Sequence, residues 1–252
     1  MAAAPATTDR LSDRPGAWVD LGLTLPIFLA YHLAVVFLGV QNATDMVTGT
    51  LLELSAGDRS KYLIGTVAIG VLFAGTFALL GRGQAFRPGK FVQIAIEGAV
   101  YAVVMALVAN QVVGRIFAGP SPIAEQGRFV GFIMSLGAGF YEELTFRVLL
   151  FGIGAKILVW TFGQQKVELA GTRSSRFSFT SVLVMLVWGV ACAVVFSGVH
   201  YVGSMADSFQ LTSFTFRAVL GLILTLIFVT RGFAAAVWTH AIYDVWVLVF
   251  HA

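Results

Sequence analysis

The sequence predicts an all-α protein, a polytopic transmembrane helical bundle of about seven to eight membrane segments. Composition is the first reason: 58% of its 252 residues are hydrophobic and 12% charged, against roughly 45–50% and 25% in a soluble domain. The second is grouping, because the apolar residues gather in runs of the length a spanning helix needs, about 20 residues. The third is the placement of Lys and Arg, scattered between those runs as determinants of topology. They form no dense stripe, so the net charge of +3 points to a lipid bilayer as partner and not to nucleic acid.

The elements follow in order. Residues 1–16 form a polar tail with Arg10 and Arg14. The first apolar run, 17–40, holds Tyr31 and His32 and is longer than the core of a cleaved signal peptide, which predicts an uncleaved first helix. No segment reads as a lipidation or retention signal. Residues 45–54 mix Met46, Val47, Leu51, Leu52 and Leu54 with polar residues, the pattern of a short interfacial amphipathic segment. Spanning runs follow at 62–81 and 91–113. The run 129–160 is too long for one untilted crossing and carries Gly137 and Gly139, so a break is expected there, with a short helix before it and a full spanning helix after. Further runs lie at 179–203, 213–230 and 233–251. The longest polar connection, 163–178, is too short to fold alone.

A cytoplasmic N-terminus puts Arg10, Arg14, Arg82, Arg87, Lys90, Lys166, Arg173, Arg176 and Arg231 inside, and Arg59, Lys61, Arg115 and Arg128 outside. The excess of basic residues inside favours that orientation. The single cysteine, Cys192, lies within an apolar run, so neither a disulfide framework nor a Cys-rich metal site is available.

Glu142, Glu143, Arg147, His200, His240 and Asp244 lie in three of the most apolar runs. An ionisable side chain at bilayer depth costs a few kcal/mol even on lenient scales, so such residues face a protein interior or a water-filled cavity. On a helix Glu143 and Arg147 are neighbours in the favourable order, acid before base, while Glu142 points about 100° away. One carboxylate is then neutralised and the other left free, as a general base requires; the alternative is a charge cluster that only holds helices together. Glu142 lies roughly 20 residues before the 163–178 connection and His200 roughly 20 after it, so an antiparallel helix pair brings them to similar depth. Taken alone, His200 reads as readily as a satisfied residue at a helix end. His240 and Asp244 are one turn apart, and a carboxylate there can orient the imidazole; the plainer alternative is a polar pair between helices. His32 and Glu97 carry no motif and read as structural. Glu142, His200 and His240 could ligate zinc with one position open. No His-Glu-x-x-His pair exists, however, and a Glu–His pair activates water without metal, so no cofactor is expected.

Glu-Glu-x-x-x-Arg at 142–147, Phe-x-x-x-His at 196–200 and His-x-x-x-Asp at 240–244, each in its own apolar helix and in this order, resemble the CPBP (CAAX protease and bacteriocin-processing, or Abi) family of intramembrane proteases. That family includes the CAAX prenyl endopeptidases of the Ras-converting type. The resemblance spans about half the chain and implies a scaffold at 17–128 that also gives substrate access, with a catalytic helical core at 129–252. It implies an endopeptidase that cleaves a membrane-tethered peptide or protein. Glu142 would activate water with help from His200, and His240 with residue 244 would stabilise the oxyanion. Glu143 and Arg147 would support the site, and Phe196 would pack beside it. Two departures stand out: Val148, where the family often has Gly, and Asp244, where Asn is common. An ionised Asp would repel an oxyanion that Asn would bind, so Asp244 must be protonated, orient His240 or bind a metal.

Other classes fit less well. A transporter would show matching polar sites in two repeated halves, and here they crowd the C-terminal half. A non-catalytic binding or immunity protein has no need of the full acid and histidine set. A serine protease built on Ser197 would carry its histidine only three residues away on one helix.

Overall fold

The computed structural model describes residues 16–80, 88–114, 123–163, 178–203 and 206–250. The polar tail 1–15 and most of the 163–178 connection lie outside the described residues. So do Arg10, Arg14, Arg82, Arg87, Arg115, Lys166, Arg173 and Arg176 from the charge count.

All regular structure is helical among the described residues. It comprises α1 (Ala17–Gly22), α2 (Leu25–Val35), α3 (Met46–Leu54), α4 (Arg59–Leu80), α5 (Gly89–Val113), α6 (Arg128–Gly137), α7 (Gly154–Gly163), α8 (Phe179–Val199), α9 (Leu211–Arg231) and α10 (Phe233–Val245). π-Helical turns at Ala138–Glu142 and Leu144–Ile153 link α6 to α7, and another, Trp246–Phe250, extends α10. Seven stretches are long and apolar enough to cross a membrane: Ala17–Val35, Arg59–Leu79, Gly89–Val113, Arg128–Phe162, Phe179–Val199, Leu211–Arg231 and Phe233–Phe250. The fold is thus an all-α polytopic bundle, as the apolar runs predict. Ile64, Val71, Leu72, Ile96, Val103 and Leu186 stand exposed on its outer face, which suits contact with lipid chains.

Short polar segments set the ends of the elements. Asp45 accepts from the backbone N–H groups of Val47 and Thr48 at 2.9 and 3.0 Å and so starts α3 as an N-cap. That helix turns Val47, Leu51 and Leu52 toward the core and leaves Met46 and Leu54 exposed. Gly232, at φ 107°, makes the turn between α9 and α10 that a residue with a Cβ would resist. Asp20 of α1 then accepts from Phe233 N and, at 3.0 Å, from Ala234 N. An acid there satisfies orphan donors and complements the positive helix end, which fixes the first spanning segment to the last.

The break expected at Gly137 and Gly139 is absent. Arg128–Phe162 is one continuous 35-residue span, roughly 50 Å long at helical rise, which tilts or projects beyond the hydrocarbon. Both glycines serve close packing instead: a Cβ on Gly137 would run into the Tyr31 ring, and one on Gly139 into Ala241 and the Val237 carbonyl. Local widening into π-helical turns, which often mark functional sites, takes the place of a break.

The last helix is the centre of the bundle. α10 packs against α5, α9, α6 and the Ala138–Glu142 turns, and Ala234, Ala235, Ala236 and Val237 are fully buried. Small side chains let neighbouring backbones approach closely where no hydrophobic drive exists between helices in lipid. The result brings Glu142 and Glu143 opposite His240.

Candidate active site

The two adjacent glutamates point to different partners. Glu143 is fully buried; its Oε2 lies 3.1 Å from Arg147 Nε and its Oε1 2.8 Å from His240 Nδ1. The first contact is a close ion pair without hydrogen-bond alignment, since neither atom has a hydrogen-bond partner. The Arg147 guanidinium lies over the Phe196 ring at 4.5 Å, a cation–π contact that gains strength when desolvated. Phe196 also meets Phe146, His200 and His240 edge to face, with centroids 5.2, 5.3 and 5.9 Å apart. This one ring therefore joins all three motifs.

Glu142 faces the other way. Its Oε2 lies 3.9 Å from Nε2 of His200 and 3.9 Å from Nε2 of His240 and has no hydrogen-bond partner. The antiparallel placement of the Arg128–Phe162 span and α8 thus puts Glu142 and His200 at one depth. His200 Nδ1 is 2.9 Å from the Phe196 carbonyl; a carbonyl only accepts, so Nδ1 carries a proton, and in that tautomer of the imidazole Nε2 is the acceptor. The same logic gives His240 Nδ1 a proton donated to Glu143. Both rings turn Nε2 toward the space beside Glu142 Oε2.

Asp244 lies beside His240, as its spacing suggests. Its Oδ2 is 3.5 Å from His240 Nε2, on the open side of the ring, while Glu143 fixes the ring through Nδ1. Helical spacing reveals the His240–Asp244 neighbourhood but not the carboxylate that crosses from another helix. Side-chain exposure rises from 0–1% at Glu143 and Arg147 to 12% at Glu142, 22% at Asp244 and 27% at His200, so the site opens on the His200–Asp244 side. Among the described residues no three His, Cys, Asp or Glu side chains are arranged to hold a metal ion.

One residue of the site escapes the sequence reading. Asn42 Nδ2 donates to Glu142 Oε1 at 2.9 Å from the segment between α2 and α3. Asn42 with Thr44, and Asp45 with Thr48, are local turn and cap signals, but nothing in them points to a contact 100 residues away. The structural readings of His32 and Glu97 agree with their partners: His32 contacts the Tyr62 and Tyr141 hydroxyls, and Glu97 pairs with Arg231 at 2.8 Å. Ser197 is buried and donates to the Phe214 carbonyl at 2.7 Å, a helix contact and not a nucleophile's setting.

No curated protein and no solved structure matches the chain. A family model described as type II CAAX prenyl endopeptidase Rce1-like matches residues 125–246, just under half of the chain. The match contains Glu142, Glu143, Arg147, Phe196, His200, His240 and Asp244 and stops short of Asn42. Over those residues this integral, multi-pass membrane protein is similar to the Rce1-like family of CAAX-type proteases.

Proposed function

We propose that this protein is an intramembrane endopeptidase that hydrolyses a peptide bond of a membrane-tethered peptide or protein, with Glu142 as general base. The observation that carries the reading is the placement of Glu142 Oε2, unpartnered and 3.9 Å from Nε2 of both His200 and His240. Two hydrogen bonds of about 2.8 Å meeting at a water oxygen span about 4.5 Å at a tetrahedral angle and about 3.9 Å at roughly 90°, so a bent bridge seats one water among these atoms.

A water there donates one proton to Glu142 Oε2 and the other to His200 Nε2, and its lone pair is left to attack the scissile carbonyl carbon. Glu142 takes the proton as the C–O bond forms, and the carbonyl becomes an oxyanion. Glu142 then returns that proton to the amide nitrogen as the C–N bond breaks. His240 Nε2 donates to the oxyanion when the ring is an imidazolium, and the carboxylates of Glu143 and Asp244 beside it supply the compensating charge. In this reading Asp244 serves as counter-ion to His240 and not as oxyanion donor. The cleavage is metal-free and the site needs no cofactor.

The family description supports prenylated CAAX tails as the first substrate class to try. The test uses purified protein, a farnesylated dye-labelled CAAX peptide and its unprenylated twin, with wild type and Glu142→Ala, each with and without a zinc chelator. Loss of cleavage in Glu142→Ala alone is the expected result. Loss on chelation as well would move Glu142, His200 and His240 to metal ligation, and cleavage by Glu142→Ala at the wild-type rate would end the assignment.

A further inference from the structure

We propose that Asn42, in the half of the chain that the family match does not reach, is a positioning residue for the Glu142 base. The proposal rests on the reading of Glu142 given above. A glutamate side chain has three rotatable bonds and two equivalent oxygens, so a free Glu142 has several places to put its charge. Asn42 removes that choice by donating Nδ2–H to Oε1 at 2.9 Å, which leaves Oε2 as the oxygen that faces the two imidazoles.

The amide itself is held from both ends. Asn42 Oδ1 accepts from Thr44 N at 2.9 Å and from Thr44 Oγ1 at 2.6 Å; as both are donors, they decide which end of the amide is oxygen. The Asn42 backbone N–H donates to the Tyr31 hydroxyl at 3.0 Å, and that hydroxyl donates to Asp45 Oδ2 at 2.8 Å. Asp45 in turn caps α3. Asn42 is 7% exposed, so water has little room to replace its amide.

A competing partner for the carboxylate lies five residues on in the same span. Nη1 and Nη2 of the buried Arg147 have no hydrogen-bond partner. Without Asn42, Glu142 has reason to turn toward Arg147 and away from the water. The N-terminal half is therefore part of the active site and more than a scaffold around it.

The test measures kcat and KM on the farnesylated CAAX peptide for Asn42→Asp, Asn42→Ala and Thr44→Val, with thermal melting of each in detergent. Asn42→Asp keeps the Oδ1 acceptor for Thr44 but sets a second carboxyl group against Glu142, and two carboxyl groups in contact share a proton that Glu142 needs to be without. The expected result is a kcat loss of about 100-fold in Asn42→Asp and Asn42→Ala, the scale of a small misplacement of a reacting group. KM stays near wild type, and Thr44→Val cleaves far better than either. In a Glu142→Gln background, Asn42→Ala is expected to add no further loss. If Glu142→Ala is inactive while both Asn42 variants turn over as wild type, this proposal falls and the base assignment stands. If Glu142→Ala itself cleaves normally, both fall together.

Discussion

His32 and His240 are both buried imidazoles in the same bundle, 0% and 5% exposed, and they differ in what their nitrogens meet. His32 has neutral hydroxyls on both sides, Tyr62 on Nδ1 at 2.9 Å and Tyr141 on Nε2, with Thr48 nearby at 3.4 Å. Its hydrogen-bonding capacity is filled by the protein. His240 spends Nδ1 on Glu143 and turns Nε2 toward Asp244 and Glu142 across 3.5 and 3.9 Å, too far for direct bonds. Burial is therefore not the mark of the reactive histidine. An unfilled nitrogen beside an unfilled carboxylate oxygen is, because that pair has room for a reactant.

The comparison breaks first at Glu142. General-base catalysis contributes about 10²–10⁴-fold, so Glu142→Ala is expected to lose cleavage by about that factor or more in a peptide assay, and His200→Ala by the lower part of the range. Glu143→Gln tests the closed side of the site. It leaves the buried Arg147 charge without its compensating carboxylate, a loss of about 3–5 kcal/mol for a broken buried pair, visible as a lower melting temperature and poorer accumulation. His240→Ala removes the oxyanion donor and is expected to cost about 10²–10³-fold in kcat, with less effect on folding. His32→Phe is the converse. It removes the imidazole partner of the Tyr141 hydroxyl, while Tyr62 keeps Thr48 at 3.3 Å, at about 1–3 kcal/mol of stability, and the folded protein still cleaves. The smallest effect is expected for Asp244→Asn, which exchanges the counter-ion of His240 for a neutral donor and stays within about tenfold of wild type, roughly 1.4 kcal/mol.

The parts of this arrangement that were legible in the sequence are those written within single helices. Spanning segments show as apolar runs because hydrocarbon imposes a length, and Glu143–Arg147 and His240–Asp244 show because four residues make one turn. The shared depth of Glu142 and His200 follows from counting residues on either side of a connection. Contacts between helices left no such trace. Gly137 and Gly139 read as a break because the rings and backbone that fill the space at their missing Cβ atoms, Tyr31, Ala241 and Val237, come from elsewhere in the chain. For the same reason the partner of His240 Nδ1 is Glu143 and not the nearby Asp244, and Asn42 was invisible as a partner of Glu142.

The most direct test is kcat/KM of Glu142→Gln on a peptide the wild type cleaves, with melting measured on the same preparation. Glutamine keeps an Oε1 acceptor for Asn42 and places an amide where the free carboxylate oxygen stood. Native melting is expected, with cleavage reduced by about 10²–10⁴-fold. Wild-type cleavage by Glu142→Gln would contradict the base assignment, since no base would remain between His200 and His240.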